Sequence, residues 1–165
     1  LAATVLLASP EATERCARAI AELLLPGDVV LLEGPIGAGK SHFCRAAIRQ
    51  LLAREGREED IPSPTFTLVQ TYHLGNAEIW HADLYRLTDP GQLVELGLDE
   101  AFETAIAFVE WPDRLGDAAP RDALHIALSS GTSGDARIAR ITALDPKWNK
   151  LLPLLAAGGP HVSDG

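Results

Sequence analysis

The sequence predicts a single α/β domain: a mixed, mostly parallel sheet with helices on both faces and one antiparallel hairpin. Three observations lead to that fold class. In the first half, short apolar runs alternate with stretches of helical apolar spacing. In the second half, β-rich runs come in pairs across short polar loops. In between, Val29-Val30-Leu31-Leu32 passes through a glycine-rich stretch into a helical pattern, in the order strand, turn, helix. With 165 residues, 47% of them hydrophobic, there is enough chain for one sizeable core.

Thr4 to Ala8 reads as a short strand. Ser9-Pro10-Glu11 then opens a helix, with a capping serine, a proline at the first position and an acid in the first turn. Cys16, Ala19, Ile20 and Leu23 form its apolar stripe, and Pro26-Gly27-Asp28 turns the chain into the central strand. A second helix follows the glycine-rich turn, from His42 to Leu52. The charged run Arg54 to Asp60 reads as a solvated connector. Ser63–Tyr72 and Glu78–Tyr85 are rich in β-branched and aromatic residues. Five residues containing Gly75-Asn76 separate them, which predicts the hairpin. Short helices are expected from Asp89 to Leu96 and from Leu98 to Glu103. Ala105 to Glu110 is a buried strand ending in a carboxylate. Asp122–Ser129 and Arg137–Ala143 are two more strands, and Asp145-Pro146 caps a last helix to about Ala156. Residues 1–156 form the domain, and 157–165 a flexible C-terminal tail.

The net charge of −9 disfavours broad contact with a nucleic-acid backbone, which calls for a basic face. No window of 18 apolar residues is present, and Leu1–Thr4 has no basic leader, so a cytoplasmic protein is expected. Cys16 and Cys44 lie far apart with no C-x-x-C spacing, which suits reduced, buried thiols better than a disulfide or a metal site.

The glycine-rich stretch carries the chemistry. Gly34, Gly39, Lys40 and Ser41 fit the phosphate-binding pattern G-x-x-x-x-G-K-[ST], and the domain is therefore of P-loop NTPase kind. Chance alone yields such a match in about one chain of this length in 200. Glycines let backbone N–H groups converge on phosphate oxygens, and the helix start adds the positive end of its dipole. Lys40 supplies a compact cation, and the Ser41 hydroxyl can ligate Mg²⁺. Each charge-assisted hydrogen bond contributes roughly 1.5–3 kcal/mol.

Such a loop needs carboxylates, one to help hold the metal and one to orient or deprotonate the attacking group. Two apolar strands end in an acid at the sheet edge where ligands bind: Asp83 after Ile79-Trp80-His81-Ala82, and Glu110 after Ile106-Ala107-Phe108-Val109. Thr65, between the loop helix and the hairpin, stands where nucleotide switches sense the γ-phosphate; read alone, it is an edge-strand threonine after a turn proline. His81 reads as a packed or hydrogen-bonded residue rather than a base, and Trp111 as packing. Arg86 and Arg114 are candidate partners for phosphates or acids, though most arginines simply lie on the surface.

At this point the chain resembles the bacterial TsaE (YjeE) family, P-loop ATPases of tRNA threonylcarbamoyladenosine synthesis. The matching blocks are Gly37-Ala38-Gly39-Lys40-Ser41, Ser63-Pro64-Thr65-Phe66-Thr67-Leu68-Val69, His81-Ala82-Asp83-Leu84-Tyr85-Arg86-Leu87 and Val109-Glu110-Trp111-Pro112. They occur in the family's order and cover about residues 1 to 145. The resemblance implies ATP and Mg²⁺ as ligands, with Ile36, Gly37, Ala38, Gly39, Lys40 and Ser41 on the phosphates. It implies Ser41 and Glu110 near Mg²⁺, Asp83 as the second acid aligned with metal or water, and Thr65 in a switch; Lys40, Asp83, Glu110 and Thr65 are thus the expected catalytic set. Thr13 and the loop at Ser133-Gly134 are implied as adenine-side contacts. The implied activity is ATP hydrolysis coupled to two partners, a transferase subunit and its paralogue, with tRNA engaged only through that complex. The departures are mild: Ser41-His42 stands for the commoner Thr-Thr, Ala82 for an aromatic, and Asp113 for Glu.

Two other readings use the same loop. A small-molecule kinase should carry an arginine-bearing lid, and no Arg-rich lid segment is present. A nucleotide-dependent interaction module would bind without turnover.

Overall fold

The central strand, Val29–Glu33 (β2), divides its residues between two cores. Val30 and Leu32 belong to one, Val29 and Leu31 to the other. A strand has side-chain period 2, so a run apolar at every position is stable only when both faces are covered. The computed structural model describes residues 1–64, 67–156 and 162–163.

Three further strands join β2 in a contiguous parallel centre: Ala77–Asp83 (β4), Ile106–Glu110 (β5) and Leu124–Ser130 (β6). Antiparallel strands flank this centre. Val69–Leu74 (β3) pairs with β4, and Arg137–Thr142 (β7) with β6. Ala2–Leu7 (β1) pairs with β7, and the two-residue Val162–Ser163 (β8) with β1. The sheet order is β3-β4-β5-β2-β6-β7-β1-β8. The sheet is thus parallel in its centre and antiparallel at its flanks.

Helices cover both faces, as the sequence predicts. On one face Pro10–Ala21 (α1) packs against Lys40–Ala53 (α2), with buried Cys16, Ile20, Phe43, Ile48 and Leu51 in the shared core. Trp148 and Leu151, from a 3₁₀ helix over Pro146–Leu151, join that core. The other face is covered by Gln92–Glu95 (α3), Leu98–Thr104 (α4) and a 3₁₀ helix over Pro112–Ala118, through Leu93, Leu98 and Leu115. The cap of α1 is the expected one: Ser9 Oγ accepts from Ala12 N at 3.1 Å.

Three details differ from the sequence-based expectation. The hairpin turn has two residues, not five: Leu74 pairs with Ala77 across Gly75-Asn76, and Gly75 takes φ +60° there. The strand β3 begins only at Val69, because Leu68 adopts φ +66° and breaks the extended run. The last helix is split into the 3₁₀ segment and Leu152–Ala156 (α5). Pro153 has no N–H to continue the ladder onto Asn149, whose carbonyl accepts instead from Leu152 in 3₁₀ fashion. Most of the tail expected at 157–165 lies outside the described residues. No helix among the described residues is long and apolar enough to cross a membrane.

Candidate functional site

The site forms where β2, β4 and β5 end together and α2 begins. The loop joining β2 to α2 is made possible by its glycines: Gly34, Gly37 and Gly39 take φ of +146°, +81° and +99°. Gly34 is also tightly enclosed, since a Cβ there would stand 2.5 Å from the Leu128 carbonyl oxygen. Gly39 is the N-cap of α2 and offers no side chain to the first N–H groups of the helix. Those donors have no intrahelical acceptor, so the helix start is left ready for an anion.

Lys40 is 5% exposed and folds back over the loop. Its Nζ donates to the carbonyls of Gly34 at 2.6 Å and Pro35 at 2.9 Å, and lies 4.2 Å from the centre of the Trp111 ring. Burial lowers the lysine pKa from its usual value, against the opposing pull of Glu110 and Asp83.

The two strand-end acids are opposite neighbours, Asp83 of β4 against Glu110 of β5. Both are buried, at 5% and 2% exposure. Ser41 Oγ lies 2.8 Å from Glu110 Oε1 and 3.0 Å from Oε2. His81, fully buried on β4, places Nε2 2.7 Å from Glu110 Oε2. Asp83 is fixed by its backbone, whose N–H donates to the Leu68 carbonyl at 2.8 Å, while its Oδ1 accepts from Tyr85 N at 3.0 Å. Trp111 directly follows Glu110 in a left-handed conformation, φ +61°, which costs a bulky residue about 1–3 kcal/mol. Its ring packs at 4.9 Å against Tyr85. Strained Leu68 and Trp111 therefore sit next to the two acids.

A cleft of about 470 Å³ opens here, lined among others by Gly37, Lys40, Ser41, Asp83, Glu110 and Trp111. Its donors include an ammonium, a helix start, a glycine loop and the guanidinium groups of Arg45 and Arg86, and its acceptors include two carboxylates and a hydroxyl. Such a set fits a polyphosphate and a hard divalent cation. A larger depression of about 690 Å³ lies by the 54–60 connector. Of its three arginines, Arg18 and Arg57 are engaged by Glu14 and Glu59, and no glycine loop faces it.

The expected residues are therefore brought together in the main. Gly37, Gly39, Lys40, Ser41, Asp83 and Glu110 line one cleft with Ile36 and Arg86, and Ala38 is buried in the loop itself. Thr13 does not line it: the residue is buried on α1 and its Oγ1 donates to the Ser9 carbonyl at 3.4 Å. Arg114 donates to the Tyr85 carbonyl at 3.4 Å. Thr65 lies outside the described residues. His81 is a hydrogen-bonded core residue, as the sequence suggests. Arg137 was not foreseen. Its Nε donates to the Ala38 carbonyl at 3.1 Å, and its Nη2 to that of Gly37 at 3.2 Å. Its Nη1 donates to Gly134 at 3.2 Å, which ties the second predicted loop to the first. An arginine at a strand start carries no signal that distinguishes it from a surface residue.

Residues 7–139 match the family model described as "Threonylcarbamoyl adenosine biosynthesis protein TsaE". The chain belongs to the TsaE family. A TsaE protein of Rickettsia bellii is 38% identical over 137 residues, covering 83% of this chain and 92% of that one. One from Bacillus subtilis is 33% identical over 144 residues, 87% of each chain. The matched region spans 62% of the length of the Rickettsia felis TsaE, to which it is 42% identical over 109 residues. The crystal structure of Bacillus subtilis YdiB superposes with a TM-score of 0.75 at 28% identity, covering 93% of both chains. The TsaE match spans the loop, both acids and Arg137, so the site lies wholly inside the family region.

Proposed function

We propose that the chain binds and hydrolyses ATP as the accessory subunit of the machinery that makes N6-threonylcarbamoyladenosine in tRNA. The observation that carries this reading is the joining of Ser41 to Glu110, with Asp83 alongside, at the mouth of a glycine loop. Family membership favours it over a small-molecule kinase.

The mechanism follows from the groups present. Residues 36–41 and the first α2 N–H groups would receive the triphosphate. Lys40, which now donates to the Gly34 and Pro35 carbonyls, would turn its ammonium to the outer phosphate oxygens. Ser41 and Glu110 would hold Mg²⁺, which when bound neutralises charge building on the phosphate oxygens. Asp83, 5% exposed and pinned through its own N–H, orients the attacking water or takes its proton. His81 keeps the Glu110 carboxylate turned toward Ser41. Thr65 would report the γ-phosphate.

The partners in this reading are the transferase subunit of the complex and its paralogue, with tRNA reached only through them; a net charge of −9 suits that arrangement. The setting is the cytoplasm. Phosphate release from ATP, measured with and without the transferase pair, tests the reading. Release should rise with the pair. Transfer of phosphate to a metabolite, or no ATP turnover under either condition, would overturn it.

A further inference from the structure

Five carbonyls of the phosphate loop accept hydrogen bonds from within the chain. Lys40 takes those of Gly34 and Pro35, and Arg137 takes those of Gly37 and Ala38. The Gly39 carbonyl accepts from Phe43 N at 2.9 Å. These holds are not equivalent. If Lys40 is to meet a phosphate, its ammonium must loosen its hold on the Gly34 and Pro35 carbonyls. Arg137 has no such second task, and its four acceptors are all backbone oxygens, those of Gly37, Ala38, Gly134 and Ala136.

In a planar trans peptide the C=O and the following N–H point opposite ways. Holding the Gly37 carbonyl therefore fixes the Ala38 N–H, which closes the turn onto the Pro35 carbonyl at 3.1 Å. Holding the Ala38 carbonyl fixes the direction of the Gly39 N–H at the helix start. Gly37 and Gly39 have the widest backbone choice of any residue type, so without a clamp these peptides can flip.

We propose that Arg137 is the positioning residue of the phosphate loop: its guanidinium clamps the Gly37 and Ala38 carbonyls and ties them to the loop at Gly134, holding the loop in its receptive shape when Lys40 leaves. The clamp is a feature of the chain itself; its consequence for ligands rests on the nucleotide reading above. Arginine suits the task because its planar guanidinium holds five donors in fixed directions, whereas an ammonium offers three on a freely turning tip.

The test uses the full chain as wild type, Arg137→Ala and Arg137→Lys. Arg140→Ala, an exposed change on the same strand, is the control. Amide hydrogen exchange of residues 34–40 is followed without nucleotide, and binding of ATP with Mg²⁺ and of inorganic tripolyphosphate is measured by calorimetry. Loop exchange should quicken in both Arg137 variants and not in the control. Affinity for both ligands should fall about tenfold or more in Arg137→Ala, and Arg137→Lys should recover only part of it. Arg137→Lys carries the test if the alanine variant fails to fold. Unchanged loop exchange, or a lysine variant equal to wild type, would overturn the proposal. A wild type that binds neither ligand counts against the nucleotide reading, and the exchange result still decides the clamp.

Discussion

Ser41 and Glu110, 69 positions apart in the chain, meet with the serine Oγ 2.8 Å and 3.0 Å from the two carboxylate oxygens. The hydroxyl comes from the start of α2 and the acid from the end of β5. Two parallel strands, β2 and β5, set that distance, because the loop leaves one and the acid ends the other. The arrangement brings together a hydroxyl and a carboxylate, oxygen donors of the kind that suit a hard divalent cation.

Glu110→Gln keeps the shape of the side chain and removes its charge. Nucleotide affinity should stay within about tenfold of wild type while turnover falls about a hundredfold or more. Asp83→Ala should show the same split. Single-turnover phosphate release beside equilibrium binding checks both, and wild-type turnover in either variant removes that acid from the mechanism.

Lys40→Ala should weaken nucleotide binding by about a hundredfold or more, since several charge-assisted contacts go with it. Thermal stability should change little, because the hydrogen bonds lost at Gly34 and Pro35 oppose the relief of a buried charge. Burial already lowers the pKa of this lysine, so its charged form is disfavoured in the fold, and removing it relieves that penalty. The sign sets a pH trend: as pH rises through the lowered folded value toward the usual 10.5, wild type sheds the buried proton and gains stability relative to the variant. Melting temperatures of the two proteins across that range check it.

Much of this site can be read from residues alone. The β2–loop–α2 unit shows itself because its glycines, lysine and serine must be contiguous. Asp83 and Glu110 stand out because each ends an apolar strand. Their pairing across β4 and β5 is not legible, since strand order depends on which edges meet in three dimensions. Arg137 was missed for the same reason: its acceptors on the loop lie 99 and 100 positions away and are backbone oxygens, which leave no residue signature. The late start of β3 turns on one leucine with positive φ, held by Pro64 and Asp83 from either side. The split last helix could have been read from Pro153.

Neither cysteine should react with iodoacetamide in the native protein near pH 8. Burial pushes the Cys16 thiol up to about 12 and raises Cys44 well above its usual range. For Cys16, four units above the medium leaves about one thiolate in 10⁴. Mass spectrometry should find both unmodified until denaturant is added; labelling of folded protein would contradict this.

Asp28 is a stability residue distant from the chemistry. Its carboxylate accepts from Leu25 N at 2.9 Å and meets Lys147 and Lys150 at 3.1 and 3.3 Å. Asp28→Ala should lower stability by about 1–3 kcal/mol, because it orphans the Leu25 N–H, and leave nucleotide affinity unchanged. Urea unfolding and a binding titration together check both halves.

The most direct measurement is a calorimetric titration of ATP with Mg²⁺ into wild type and Lys40→Ala. Saturable one-to-one binding by wild type, weakened about a hundredfold or more in the variant, is the predicted result. No binding by wild type, or equal binding by both, would contradict the claim that this glycine loop and its lysine hold the triphosphate.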